Sequence, residues 1–242
     1  MTEWISHRGY CADATENTEA AFDAAIDLGF EHLETDLRCT RDGHIVLCHD
    51  ANLGRISPDK WKISDYTRRE IEQVRLFNGE PLLFFDQFLD KYQHLRWILD
   101  IKPDSAEQTL QQLKKWQQQP EVEHFLRNRA RYLMWGSTHE ERLKSQMNDA
   151  FCLARDKACY RAGVAALVGI PQLGNIQDNQ YYAVPPNLKG VPLLRPKLVQ
   201  RYHQKGAKVI GYLPESVKEH EQAIKAGVDE ILTNQAQLRG TF

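Results

Sequence analysis

Short apolar runs alternate with longer amphipathic runs along the whole chain. In the longer runs apolar residues recur every three or four positions, as Phe22, Ala25 and Ile26 do, which is typical of helices. The apolar runs predict eight strands, at 4–6, 32–37, 97–101, 132–135, 151–154, 182–184, 208–212 and 230–233. Because strands and helices alternate, the pattern predicts an α/β fold in which a parallel sheet closes as a (β/α)8 TIM barrel.

A further apolar run at 45–48 follows the second strand too closely for a parallel crossover. Only the turn around Asp42-Gly43 separates the two, and this spacing suits an antiparallel hairpin. Residues 38–50 are therefore interpreted as an excursion from the loop after the second strand. Residues 51–95 are predicted to form a small folded insertion over the barrel mouth, with a capping box of Thr67 and Glu70.

Helix boundaries are predicted from capping residues. The first helix should open at Asn17 or Thr18 and end at Gly29. Ser137 is assigned to helix N-capping, by itself or through Thr138, and not to a nucleophilic role. Further boundaries are two capping boxes, Thr138 with Glu141 and Ser216 with Glu219, and a helix from Pro196 that stops at Gly206.

The composition is that of an ordinary globular protein. The chain has 242 residues, 42% of them hydrophobic and 26% charged, and α/β barrels of this length commonly form one domain, so a single domain over 1–242 is expected. With a formal net charge of −2, the chain as a whole has no electrostatic attraction for nucleic acid or for an anionic membrane. The run Lys189–Lys208 lacks acids, and we interpret it as a solvated helix face.

Cysteine usage and hydropathy indicate a cytoplasmic location. The five cysteines show no CxxC or zinc-ligand spacing, which fits a reduced compartment. The N-terminus shows no signal-peptide pattern, and no run reaches the roughly 18 apolar residues of a membrane helix. No stable membrane insertion is therefore expected.

Candidate chemistry is concentrated in the first fifty residues, at the ends of predicted strands. Glu34 and Asp36 are one residue apart on a strand, so their carboxylates point to the same side and can hold one hard cation. His7 and His49 can transfer protons near neutral pH, and Arg8 suits a phosphate oxygen. The combination predicts a metal-assisted site for a phosphate ester.

Two further residues belong to the third barrel strand. Asp100 can reach the same barrel mouth, and Lys102 lies one step further along the same side. Three carboxylates together with water and substrate oxygens suit Mg²⁺ or Ca²⁺.

These residues carry a family resemblance. The chain resembles a glycerophosphodiester phosphodiesterase over essentially its whole length, and the motifs that carry the resemblance occur in the family's order and spacing. They are His7-Arg8-Gly9, Glu16-Asn17-Thr18, Glu34-x-Asp36, Asp42-Gly43, His49-Asp50-x-x-Leu53, Asp100-Ile101-Lys102 and the final strand Gly227–Asn234.

The resemblance implies a metal-dependent hydrolase that converts small glycerophosphodiesters to sn-glycerol 3-phosphate and an alcohol, with no nucleic-acid partner. The implied roles are one divalent cation, Mg²⁺ or Ca²⁺, on Glu34, Asp36 and Asp100, proton transfer on His7 and His49, and phosphate contacts on Arg8 and Lys102. The chain departs from the family pattern in three places: Asp100 stands where Glu is usual, Thr15 replaces a Pro, and Gly211-Tyr212-Leu213-Pro214 replaces a Trp-Thr-Val run, so that the aromatic residue of that run is missing.

Two alternative functions stay open. A related barrel phosphodiesterase of the lysophospholipase D or sphingomyelinase D kind would act on lipid headgroups, and Asp100 suits it. A non-catalytic ligand-binding relative would not need to retain His7 and His49 beside three acids.

Overall fold

The computed structural model describes residues 2–242, in two compact units. One unit comprises Leu153–Phe242 together with the described N-terminal residues up to Ser6, and the other comprises His7–Cys152. No helix within residues 2–242 is long and apolar enough to cross a bilayer.

Strands and helices alternate through both units. The strands are β1 Glu3–His7, β2 His32–Cys39, β3 Ile45–Leu47, β4 Arg96–Ile101, β5 Ala130–Met134, β6 Tyr181–Val184, β7 Asn187–Leu188, β8 Val191–Pro192, β9 Lys208–Tyr212 and β10 Glu230–Thr233. The helices are α1 Glu19–Asp27, α2 Arg68–Ile71, α3 Phe85–Tyr92, α4 Ala106–Trp116, α5 Pro120–Asn128, α6 Ser137–Gln146, α7 Asp156–Val168, α8 Pro196–His203 and α9 Val217–Ala226. Short 3-10 helices lie at Leu53–Arg55, Ile63–Asp65, Pro171–Gly174 and Ala236–Leu238.

In the unit His7–Cys152, strand β2 pairs in parallel with β4, and β4 pairs in parallel with β5. Strand β3 turns back antiparallel on β2, with Leu37 opposite Leu47, so the predicted hairpin is confirmed. All residues of β2 are buried, which means that its acidic side chains lie inside the protein. The β2–β4 register places Asp36 directly beside Asp100.

The predicted insertion is folded, and its apolar residues form a hydrophobic core together with Val46 and Cys48 of the β3 hairpin. The segment is anchored on β3, because Leu47 N–H donates to the Leu83 carbonyl at 2.9 Å. The predicted capping box of Thr67 and Glu70 is present at α2. The core residues are Val46, Cys48, Leu53, Ile56, Ile63, Ile71, Val74, Leu76, Leu82 and Phe84.

In the other unit, β1 pairs with β10, β10 with β9, and β9 with β6, all in parallel. Helix α9 begins at the predicted capping box of Ser216 and Glu219, and α8 begins at the predicted Pro196. The β7–β8 hairpin was not predicted, because two residues a strand are too few to show a periodicity.

Three local predictions are wrong. The run 151–154 forms no strand: Cys152 makes a single bridge to Tyr132, because α7 already begins at Asp156 and leaves no length for a ladder. Thr138 does not open a capping box, and Ser137 does not cap a helix. Helix α6 begins at Ser137 itself, after Gly136 in the N-cap position, so Ser137 and Thr138 lie within its first turn.

Candidate active site

Three buried carboxylates lie together on two neighbouring strands, two of them within β2 and one near the carboxyl end of β4. Asp36 and Asp100 are register partners on β2 and β4, and Glu34 precedes Asp36 on the same face of β2. One oxygen from each of the three lies within 4.8 Å of the others. The strand pattern of the sequence thus brings together three acids that are distant along the chain.

Glu34 is the least compensated of the three acids. Its Oε2 atom is buried and accepts no hydrogen bond from residues 2–242. The Nε2 atom of His7 lies 3.7 Å away, which is beyond hydrogen-bond distance. Burial, together with the neighbouring charge of Asp36, raises the pKa of Glu34 well above its usual range. A buried carboxylate without donors is costly, so this oxygen is poised for a cation.

Asp36 has the opposite environment. Lys102 Nζ lies 2.7 Å from its Oδ1 atom, and Arg8 Nε lies 3.0 Å from Oδ2. The side-chain amide of Asn17 also donates to Oδ2, at 2.8 Å. Burial alone would raise the pKa of Asp36, but the charges of Lys102 and Arg8 outweigh it and lower the pKa. Asp36 is therefore held as a carboxylate.

Asp100 is held from both sides. Lys102 Nζ donates to its Oδ2 atom at 2.6 Å, and the indole N–H of Trp135 donates to Oδ1 at 2.7 Å. Trp135 follows β5, whose register with β4 brings it beside the end of β4. Burial raises the pKa of Asp100, and Lys102 offsets this only in part. Both oxygens of this shorter acid thus have a fixed donor.

His49 lies at the end of the β3 hairpin and is oriented by two contacts. Its Nδ1 atom lies 2.8 Å from Asp50 Oδ1, and its carbonyl accepts hydrogen bonds from Arg38 Nε at 3.0 Å and Nη2 at 2.6 Å. If Nδ1 bonds the Asp50 carboxylate, Nε2 is the ring nitrogen left for a substrate. Among the described residues, no hydrogen bond or ion pair joins His49 to the three clustered acids.

An arginine from the insertion connects the two histidine-bearing runs. Arg55 forms a bidentate pair with Glu16, at 2.9 and 2.6 Å, and its Nε atom contacts Asp50 Oδ2 at 2.5 Å. Glu16 in turn contacts Arg8 Nη1 at 3.3 Å. Burial would raise the pKa of Glu16, but Arg55 and Arg8 lower it. The chain of charges runs Arg8, Glu16, Arg55, Asp50, His49.

The backbone after β1 is tightly constrained. Arg8 has a φ of 60°, its N–H donates to the Glu34 carbonyl at 3.1 Å, and its own carbonyl accepts from Asn17 N–H at 3.0 Å. Gly9 has a φ of 88°, and a Cβ there would lie 2.6 Å from the Ala21 backbone. The run His7-Arg8-Gly9 therefore requires glycine at its third position.

The residues present fit a divalent cation. The three carboxylates converge, the buried Glu34 Oε2 lacks a donor, and an all-oxygen ligand set is the one that Mg²⁺ and Ca²⁺ prefer. The site therefore has the composition of a metal-binding cluster.

The seven predicted site residues all lie in the unit His7–Cys152. Asp36 contacts Arg8 and Lys102, and Lys102 also contacts Asp100. Glu34 lies within 4.8 Å of the two aspartates and beside His7. His49 is linked to Arg8 through Asp50, Arg55 and Glu16. Sequence reasoning gave no role to five residues that complete the site. Glu16, Asn17 and Asp50 lie within the quoted motifs, which was a usable signal, whereas Arg55 and Trp135 carried none.

Comparison with known proteins identifies the family. The model of the glycerophosphoryl diester phosphodiesterase family matches residues 7–238. The chain belongs to this family. The predicted family and the predicted enzyme class, a phosphoric diester hydrolase, are thereby confirmed.

One curated relative matches nearly the whole chain, and another matches about a quarter of it. The "Probable glycerophosphodiester phosphodiesterase 2" of Mycobacterium tuberculosis is 26% identical over 246 residues, which cover 97% of this chain and 88% of that protein. A rat "Lysophospholipase D GDPD1" is 42% identical over 65 residues, 27% of this chain and 21% of that protein.

A solved structure confirms the fold. The glycerophosphodiester phosphodiesterase of Agrobacterium tumefaciens superposes with a TM-score of 0.78 and 20% identity, and the match covers 100% of both chains. The predicted α/β TIM-barrel class is correct for this member of the glycerophosphoryl diester phosphodiesterase family.

Proposed function

We propose that this enzyme hydrolyses glycerophosphodiesters to sn-glycerol 3-phosphate and an alcohol, at the cluster of Glu34, Asp36 and Asp100. The observation that carries the proposal is the convergence of three buried carboxylates beside a histidine, an arginine and a lysine. Family membership supports a glycerophosphodiester as the substrate class.

Glu34, Asp36 and Asp100 would hold the divalent cation, Mg²⁺ or Ca²⁺. When bound, the cation would lower the pKa of a coordinated hydroxyl and neutralise phosphate charge. Lys102 uses two contacts on Asp36 and Asp100 and keeps a further N–H donor for a phosphate oxygen. Arg8 likewise retains N–H donors beyond its contacts with Asp36 and Glu16.

His7 and His49 are the proposed proton-transfer groups. One histidine removes the proton from the substrate's glycerol 2-hydroxyl, whose oxygen attacks phosphorus in line, and the other protonates the leaving alkoxide. Water then opens the resulting cyclic phosphate while the two histidines exchange roles, which yields glycerol phosphate. Arg8 and Lys102 stabilise the negative oxygens of the pentavalent transition state.

Lysophospholipase D activity is the second candidate. The match to the rat lysophospholipase D spans only 65 residues, 27% of this chain, so it gives this candidate less support than the family model gives the first. Headgroup release from micellar lysolipid, measured beside release from glycerophosphocholine, separates the two candidates, because a lysophospholipase D cleaves the micellar lipid faster.

We also propose that residues 1–242 act as one barrel domain, which is supported by a single family model over 7–238. A cytoplasmic location is proposed as well. It is supported by five free cysteines among the described residues. Burial raises the pKa of Cys39 and Cys159 to about 11, which makes their thiols little reactive.

The test is glycerol 3-phosphate release from glycerophosphocholine, glycerophosphoethanolamine and glycerophosphoglycerol, with and without chelator. We expect release that EDTA abolishes and that Mg²⁺ or Ca²⁺ restores. Glu34→Ala should weaken metal binding and activity at least ~10-fold, since it removes a ligand itself and not only a supporting partner. Full activity of Glu34→Ala in excess EDTA would refute the metal assignment, and absence of glycerol 3-phosphate would refute the activity.

A further inference from the structure

Helix α7 carries an exposed apolar stripe. Tyr160, Val164 and Val168 follow one another at four-residue spacing, so they lie on one side of the helix, and they are 66%, 41% and 64% exposed. The opposite side packs inward through the small residues Ala162 and Ala166, which are fully buried. A helix that packs against a core normally exposes polar residues, so this stripe is not explained by the fold.

The β7–β8 hairpin extends the apolar surface. Leu188 and Val191 are paired across it and are 40% and 42% exposed. The two residues of its turn, Lys189 and Gly190, both have positive φ, 49° and 81°, which gives a tight hairpin with a lysine at its tip.

An apolar cleft of about 190 Å³ lies between the helix and the hairpin. Tyr160, Val164 and Leu167 line it from α7, and Leu188 and Leu193 line it from the other side. The stripe, the hairpin and the cleft together form one continuous apolar surface, which we call the α7 face.

A basic surface adjoins the α7 face. Leu167 also borders a second cavity, of about 580 Å³, that is lined by Arg195, Lys197 and Arg201. The guanidinium of Arg201 donates to the carbonyls of Ala166 and Leu167, which fixes it at the end of α7. No acidic residue occurs between Asp178 and Glu215, whereas that segment contains the cations Lys189, Arg195, Lys197, Arg201, Lys205 and Lys208.

We propose that the α7 face docks on the surface of an anionic lipid bilayer. Tyr160, Val164 and the hairpin residue Leu188 would enter the boundary between headgroups and acyl chains, and Arg195 and Lys197 would contact lipid phosphates. The docking is peripheral, since no described helix can span a bilayer. It is independent of the catalytic assignments, because none of these residues belongs to the carboxylate cluster.

Charge decides between a bilayer and a second copy of this chain. A two-fold symmetric dimer through the α7 face would bring the same acid-free, cationic segment of both copies together, and these like charges would repel. An anionic bilayer complements both properties of the surface, its apolar stripe and its cations.

The experiment is co-sedimentation of the full chain with phosphatidylglycerol vesicles and with phosphatidylcholine vesicles. We expect binding to the anionic vesicles that added salt weakens, and little binding to the neutral ones. Removing two cations, in Arg195→Gln with Lys197→Gln, should lower the partition coefficient about fivefold for each charge. The double variant Tyr160→Ser with Val164→Ser should also bind weakly.

Phe77→Ser is the matched control, because Phe77 is 63% exposed but lies in the insertion, far along the chain from α7. It should bind vesicles like the unchanged protein. Every variant should retain its circular dichroism spectrum and its hydrolysis of glycerophosphocholine.

Three results would overturn the proposal. One is absence of binding to phosphatidylglycerol vesicles, and another is unchanged binding of both double variants. The third is a dimeric mass in light scattering that becomes monomeric in Tyr160→Ser with Val164→Ser, which would assign the α7 face to self-association.

Discussion

The indole N–H of Trp135 donates a 2.7 Å hydrogen bond to Oδ1 of Asp100, the third acid of the carboxylate cluster. An aspartate is one methylene shorter than a glutamate, so its carboxylate has less freedom to reach its partners. Trp135 and Lys102 hold the two oxygens of Asp100 from opposite sides. We infer that the tryptophan orients the third acid.

Trp135→Phe should therefore weaken divalent-metal binding. Partners that orient a metal ligand typically contribute about 10- to 100-fold in metal affinity, and Phe keeps the ring but not the N–H donor. Calorimetric titration with Mg²⁺ and Ca²⁺ measures the effect directly. Trp116→Phe is the control, because Trp116 packs on Phe85 and touches none of the acids. Equal metal affinity of both variants would show that the hydrogen bond has no orienting role.

His7→Ala and His49→Ala should each lower the rate about 10²- to 10⁴-fold while the protein stays folded, which is the usual contribution of general acid–base catalysis. Steady-state kinetics on glycerophosphocholine measures the loss, and circular dichroism reports the fold. A near-normal rate in either variant would remove that histidine from the catalytic groups.

A substrate analogue without the 2-hydroxyl should bind and turn over very slowly. The vicinal hydroxyl gains effective molarity as an intramolecular nucleophile, which external water lacks. The analogue should act as a competitive inhibitor, and ³¹P NMR should detect a transient cyclic phosphate from the natural substrate. Cleavage of the analogue at the parent rate would instead indicate direct attack by water.

Arg55→Met should lower kcat on the order of 10²-fold, since small displacements of a catalytic group have effects of this size. Arg55 holds Asp50, which contacts Nδ1 of His49, so the pH–rate profile should change together with kcat. Metal affinity should stay unchanged. Arg75→Met is the control, because Arg75 is an exposed arginine of the same insertion that contacts only backbone carbonyls in the hydrogen bonds described. A loss confined to KM would contradict the positioning role.

The free energy of unfolding should decrease as the pH is lowered, because His220 is buried as a neutral ring. This side chain is buried, its Nδ1 atom lies 2.8 Å from the Ser216 carbonyl, and its Nε2 atom lies 2.8 Å from Thr233 Oγ1. Burial lowers the pKa of His220, and the Ser216 carbonyl offsets this only in part. The fold thus favours the neutral ring. The contribution of His220 to the free energy of unfolding is therefore present above its unfolded-state pKa of about 6.5, and it is lost as the pH falls through the lower pKa of the folded state.

Urea unfolding measured from about pH 8 down to about pH 5 tests this. His220→Gln should be less stable by about 1–3 kcal/mol at the higher pH, because the Ser216 carbonyl and the Thr233 hydroxyl lose their hydrogen bonds to the ring. It should also lose part of the pH dependence. His124→Gln removes an exposed histidine of α5 and should keep the parental slope. Parallel slopes in all three proteins would exclude His220 as the source.

The sequence was informative where structure depends on local spacing. The strand positions of Glu34 and Asp36 follow from period-two alternation, and the turn at Asp42-Gly43 is short enough to allow only a hairpin. Asp100 could be placed because parallel strands bring their carboxyl ends to one edge. These predictions depend on the side of a strand on which a residue lies and on the edge at which the strand ends, and neither requires the register with the neighbouring strand.

The remainder depends on register and on distant contacts. The hydrogen bond from Trp135 to Asp100 requires the alignment of β4 with β5, which no single strand encodes. Arg55 reaches Glu16 across 39 residues, from a segment without strand or long helix to orient it. The run 151–154 has the composition of a strand, but composition does not determine whether a neighbour pairs with it.

The insertion packs Leu53 into a core that it shares with Val46 of β3, and its residues Arg55 and Glu80 contact the loop that follows β1. Different residues of the insertion thus form its apolar core and its polar contacts with the rest of the site. The rest of the insertion could differ in length or shape, provided that an arginine still bridges Glu16 and Asp50. The insertion is therefore a segment that protein engineering can reshape without altering the carboxylates that would hold the metal.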